Sequence, residues 1–96
     1  MAASAPQTAT LAIRGPLVRA DLPGLIARTS ALLASSEAEV LRCEVSQLAA
    51  DAVAIDALAR LALAARRSGC RVRLCGASAE LYALIAFIGL DDVLAR

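Results

Sequence analysis

Polar and apolar residues alternate along three short runs of this chain, and a longer stretch with apolar positions three or four apart follows each run. In Ala9 to Arg14, Leu11 and Ile13 stand against Ala12 and Arg14. In Glu39 to Ser46, Leu41, Cys43 and Val45 stand against Arg42, Glu44 and Ser46, and in Cys70 to Cys75, Val72 and Leu74 stand against Arg71 and Arg73. A period of two marks a half-buried β-strand. The intervening stretches predict helices. The first, from Asp21 to about Ser35, carries Leu22, Leu25, Ile26, Leu32 and Leu33 at helical spacing. The second, from near Asp51 to Gly69, has its buried stripe through Ala54, Leu58, Leu61 and Ala65, and the third spans Ala79 to Ile88.

The punctuation between these elements agrees with their periods. Asp21 reads as an N-cap with Pro23 in the first turn, where a missing N–H costs nothing, and Ser35-Ser36-Glu37 supplies the break. Asp51 reads as the N-cap of the second helix after a Gln47 to Ala50 loop. Arg66 and Arg67 complement the dipole at its end, and Gly69 suits the left-handed position beyond it. Ser78 caps the third helix and Gly89 closes it, with the tail DDVLAR expected to add one more turn. Met1 to Thr8, small, polar and proline-containing, is expected to be flexible, leaving residues 9–96 as a single domain.

Three strand–helix alternations imply parallel strands joined by right-handed crossovers. Strands covered on both sides would be apolar on both faces, yet each of these places Arg on one face. The expected sheet is therefore wound in one direction, with the main helices on its apolar side and Arg14, Arg42, Glu44, Arg71 and Arg73 on a wet side. Such a sheet lacks the switch point at which ligand crevices form, and no G-x-G-x-x-G or Walker-type loop follows a strand.

Composition narrows the function classes further. At 59% apolar with one Phe, one Tyr and no Trp, the chain must fold around an aliphatic core. Ten basic residues, all arginine, against nine acids give a formal charge of +1, too little field to draw in nucleic acid. Lys and His are both absent. With them go the commonest general base, the commonest metal ligand and any Schiff-base nucleophile, so no catalytic residue, metal site or cofactor is expected. Cys43, Cys70 and Cys75 are odd in number, lack CxxC spacing and read as small buried hydrophobes of a reduced, cytoplasmic protein. Cys70 and Cys75 lie about 16 Å apart along an extended strand, too far for a mutual disulfide. No apolar run reaches the roughly 18–20 residues of a membrane span. Tyr82 and Phe87 are expected to fill the core or its edge.

The order of elements resembles the STAS family. The resemblance rests on a strand ending in Gly15-Pro16-Leu17, a helix, a strand with a short loop leading to Asp51 at a helix start, a third strand led by Gly69, and a closing Gly89-Leu90; it runs from about Leu11 to Leu94. It implies an α/β fold, a single STAS-like domain with a mostly parallel sheet and the main helices packed on one face. The family includes bacterial anti-sigma factor antagonists, cytoplasmic domains of sulfate transporters and small subunits of lipid-transporting ABC complexes. In the antagonists the hinge reads Asp-Ser-Ser/Thr-Gly, and a hydroxyl there is phosphorylated by the partner kinase. Here the hinge reads Asp51-Ala52-Val53-Ala54, in a loop one residue shorter, so no phosphorylation site is expected at it.

What the resemblance does imply is a docking surface for a protein partner, either an ATP-binding anti-sigma factor or kinase-like protein or an ABC ATPase, at Asp51, Ala52, Val53, Ile55 and Asp56. Three apolar residues in a first turn cannot all face the core, so Ala52, Val53 and Ile55 are expected to leave an outward apolar patch. Asp56 and Arg60, at i and i+4, are expected to pair. A nucleotide or another anion on the arginine-bearing face is the alternative ligand.

Overall fold

The alternating runs pair side by side in a parallel sheet, and chain order is also spatial order. The structure, a computed structural model, describes residues 7–95. Strands β1 (Thr8–Arg14), β2 (Val40–Gln47) and β3 (Arg71–Cys75) are joined at the far edge by a two-residue β4 (Leu94–Ala95), in the order β1-β2-β3-β4. All three pairings are parallel. Helices α1 (Leu22–Ala34), α2 (Ala52–Arg67) and α3 (Ala79–Phe87) form the crossovers. Each crossover advances one strand in the same direction, and right-handed connections of that kind place every helix on the same face.

The core lies between that helical layer and one face of the sheet. Register sets Leu41 beside Val72 and Cys43 beside Leu74, and all four are buried. Above them α2 contributes Ala54, Ala57, Leu58, Leu61 and Ala65, none more than 1% exposed. On α1 the buried stripe is Leu22, Leu25, Thr29 and Leu33. Thr29 satisfies its hydroxyl locally by donating to the Leu25 carbonyl at 2.8 Å, so its burial leaves no unpaired polar atom. Helix α3 adds Leu81 and Ile85.

The second and third helices end as their glycines suggest. Beyond α2, Cys70 N–H reaches back to the Ala65 carbonyl at 2.8 Å and Gly69 N–H to that of Arg66 at 3.1 Å, the paired bonds of a Schellman turn. Gly69 takes φ +72° there, a region in which a side chain is strained. Leu90 and Gly89 repeat the pattern behind α3.

Four expectations need correction. Asp21 does not cap α1: a 3-10 turn (Arg19–Asp21) precedes the helix and leaves Asp21 with helical dihedrals of −78° and −21°. A cap requires extended backbone, so its carboxylate instead accepts the Val18 N–H at 3.0 Å. The tail makes its expected turn, the Leu90 carbonyl accepting the Val93 and Leu94 N–H groups, but it does not end there: it runs on as β4, because Leu94, 2% exposed, completes the core beside Val72. Phe87 stands 86% exposed at the end of α3, while Tyr82 is half-buried. Thr8, expected to be flexible, is already in β1, and the Gln7 carbonyl accepts the Glu39 and Val40 N–H groups; residues 1–6 of that stretch lie outside the described residues.

Leu61 touches nothing but protein, whereas Leu63 on the outer side of α2 is 50% exposed. Leu61→Ala is expected to cost about 2–5 kcal/mol through lost burial and the cavity left behind, and Leu63→Ala to stay within about 0.5 kcal/mol. Urea midpoints at constant slope check both.

Candidate functional site

Parallel strands deliver their C-terminal ends, and the starts of the following helices, to one edge of the sheet. There Gly15 N–H donates to the Gln47 carbonyl at 3.0 Å, closing the β1–β2 ladder past an irregularity between Ala12 and Arg14. The loop after β2 is tucked in: Leu48, 6% exposed, sends its side chain into the core, and its N–H donates to the Val45 carbonyl at 3.1 Å. Asp51 then takes extended dihedrals of −135° and 176°, and its Oδ1 accepts the Ala54 N–H at 2.8 Å. The cap expected from the sequence is present, with its carboxylate at the positive end of the α2 dipole.

The five hinge residues divide into two kinds. Asp51 and Ala52 are exposed, whereas Val53 and Ile55 are half-buried and pack against the core. The outward apolar patch expected at Ala52, Val53 and Ile55 therefore shrinks to Ala52 and the rims of the other two, because the first turn of α2 lies low enough to press both flanking side chains inward. Asp56 sits one turn further along with its side chain 27% exposed, between Arg60 at 2.9 Å and Arg19 at 2.7 Å. The Arg60 pair was expected from i, i+4 spacing; Arg19 comes from a turn 37 residues away in sequence, a separation no local pattern reports. The hydrogen bond from Arg60, with the charges of Arg60 and Arg19 behind it, holds the Asp56 carboxyl below the ordinary carboxylate value.

The far side of the sheet presents Arg14, Arg42, Arg71 and Arg73, all exposed, with Glu44 half-buried among them. Glu44 turns its carboxylate to Ser46, accepting its N–H at 2.8 Å, and the Ser46 hydroxyl together with that N–H holds the Glu44 carboxyl below the ordinary carboxylate value. Arg42 Nε donates to Cys75 Sγ at 2.9 Å. The chain can pass close here only because residue 76 is glycine: at φ +76°, an added Cβ would meet Glu44 Oε1 at 2.9 Å. Of the three free cysteines, Cys43 and Cys70 are buried and Cys75 is half-buried on the open face. Burial pushes the Cys43 thiol up to about 12, with small additions from Cys75 and Cys70, which keeps it protonated and inert.

An open groove of about 580 Å³ runs between α2 and the segment leading to β4, past Ala62, Leu63, Cys70 and Val93. A smaller one of about 400 Å³ separates α1 from α2. No helix of the described residues is long and apolar enough to cross a membrane, and none of their His, Cys, Asp and Glu side chains group in threes to hold a metal ion.

Comparison with known proteins adds two findings. The family model described as "Mlab, STAS domain" matches residues 1–95. Among solved structures the chain is similar to the crystal structure of a sulfate transporter family protein from Wolinella succinogenes, at TM-score 0.64 and 22% identity over 92% of this chain and 71% of that one. At that identity the likeness is one of fold. No curated protein matches the chain.

Two measurements test the hinge geometry. Asp51→Ala is expected to cost about 1 kcal/mol, the usual worth of a side-chain cap, read from thermal or urea unfolding. Asp56 has its pKa lowered on folding, so its contribution is fully present above the unfolded carboxylate value of about 4 and is lost as pH falls through the lower folded value. The effect is small and salt-screened because the pairs are exposed. Asp56→Asn is expected to flatten the acid limb of a stability-against-pH curve, and to flatten it less in high salt.

Proposed function

The chain belongs to the STAS domain family, and from that membership we propose that it is a non-catalytic protein–protein interaction module docking through its hinge and the start of α2. The observation that carries the reading is the capped corner at Asp51 and Ala52. Its backbone is fixed by the 2.8 Å cap bond, both side chains are exposed, and Asp56 offers a carboxylate one turn along. Ala52 is small enough for a partner to approach the helix backbone, while the rims of Val53 and Ile55 supply apolar contact. The partner class is an ATP-binding protein, and the contact lies in the cytoplasm.

Regulation does not act at this corner by phosphorylation, since no Ser, Thr or Tyr lies between Ser46 and Ser68. A phosphoryl group would bring about −1.5 to −2 charges to the docking surface, and the hinge has no oxygen to carry it. The protein then works as an anti-sigma factor antagonist without the usual release switch. The same missing hydroxyls favour a second reading, a constitutive subunit of an ABC-type lipid transporter, because a permanent contact needs no release.

The test is co-purification of the tagged protein with ATP-binding proteins encoded beside it. Wild type is expected to retain one of them, an anti-sigma-type kinase under the first reading and an ABC ATPase under the second. Ala52→Arg, a change at an exposed position, is expected to weaken retention about tenfold or more. Retention unchanged by Ala52→Arg would place the contact elsewhere.

A further inference from the structure

Among the described residues the sheet is covered on one side only, which is unusual for parallel strands. Parallel sheets normally have both faces packed, and here all three helices share one face. The uncovered face is also charged in a particular way. Register sets Arg42 directly opposite Arg73 on the neighbouring strand, where Cβ atoms stand about 5 Å apart. Arg71 lies on the same face of β3, about 7 Å further along, and Arg14 on the same face of the edge strand β1.

Like charges placed opposite each other destabilise a sheet. The one acid on the face, Glu44, turns its carboxylate to Ser46 and its charge also acts on Arg42, but a single carboxylate cannot balance four arginines. The ion pairs among the described residues lie elsewhere, joining Asp56 to Arg19 and Arg60. With a net charge of only +1 on the whole chain, the positive charge is concentrated on this face rather than spread over the molecule.

We propose that the open face of the sheet is a second docking surface, separate from the hinge, which takes an acidic protein segment laid across β2 and β3. Neighbouring guanidinium forks match carboxylates in bidentate geometry, and an acidic segment would both cover the bare face and balance its excess of arginine. The face lacks what other polyanions need. Both aromatic residues, Tyr82 and Phe87, belong to α3 on the opposite side, so no ring is present to stack a base. Among the described residues the exposed large apolar ones, Val18, Leu63, Phe87, Ile88 and Val93, belong to helices or loops and not to β1, β2 or β3, so the strands offer no apolar anchor to a bilayer. The hinge offers Asp51 and Asp56, of opposite sign, so the two surfaces select different partners.

The test is a titration of the ¹⁵N-labelled protein with a short poly-glutamate peptide, followed by amide shifts. The expected shifts are confined to β1, β2 and β3. The Arg42→Glu/Arg73→Glu pair is expected to weaken binding at least about tenfold. Arg66→Glu/Arg67→Glu, an equal change of net charge on the helical side, is expected to leave it within about twofold. Where the first pair fails to fold, Arg73→Thr keeps a strand-forming side chain and is expected to weaken binding several-fold. The proposal is overturned by absence of binding, by shifts spread over the helices, or by equal losses from both charge reversals. Tighter binding of phosphatidylglycerol vesicles or of a single-stranded oligonucleotide would also overturn it.

Discussion

A sheet wound in one direction has a single apolar face, and the rest of this fold is arranged to bury it. Three helices must share one side, so α2, between its neighbours, has to come close to the strands without lifting the layer. Alanine at 54, 57 and 65 permits the close approach, and Leu58 and Leu61 fill the space between. This is the aliphatic solution to close packing. A large ring at any of these alanines would raise the helix and open gaps on both flanks, which accords with a core without Trp and with its two aromatic residues on the outermost helix.

The same winding decides where chemistry can sit. All helix starts fall at the C-terminal edge of the strands, and they collect acids and hydroxyls: Asp51 and Ser78 cap α2 and α3, and Asp56 follows one turn in. The arginines of the strands fall on the uncovered side. One topological choice thus produces an edge that offers carboxylates and a flat face that offers guanidinium groups.

Much of this was legible in the sequence, for reasons that also explain the failures. A period of two separates Leu41, Cys43 and Val45 from Arg42, Glu44 and Ser46 because each strand is buried on one face, so the one-sided sheet could be read directly. The caps at Asp51 and Ser78 and the turns at Gly69 and Gly89 are local, and local chemistry suffices to find them. Helix α3 is apolar almost all round, so its period names no buried face, and Phe87 was misplaced for that reason. Strand β4 has two residues, too few to alternate. Asp21 failed because the 3-10 turn before it changes the backbone, and the fate of Val53 and Ile55 depended on how deeply α2 sits, which only packing decides. The fold is legible because its signals are periodic or local, whereas which hinge side chains stay exposed is decided by what the core leaves outside.

The Arg19–Asp56 bridge joins the turn before α1 to the helix that begins at the hinge. Exposed pairs of this kind add little to stability, so the bridge is an exchangeable one. Any other cation brought to Asp56 competes with Arg19 for the same oxygen and frees the turn before α1 at almost no net cost to folding. The start of α2 and that turn, far apart in the chain, are thus tied by a contact that salt alone loosens.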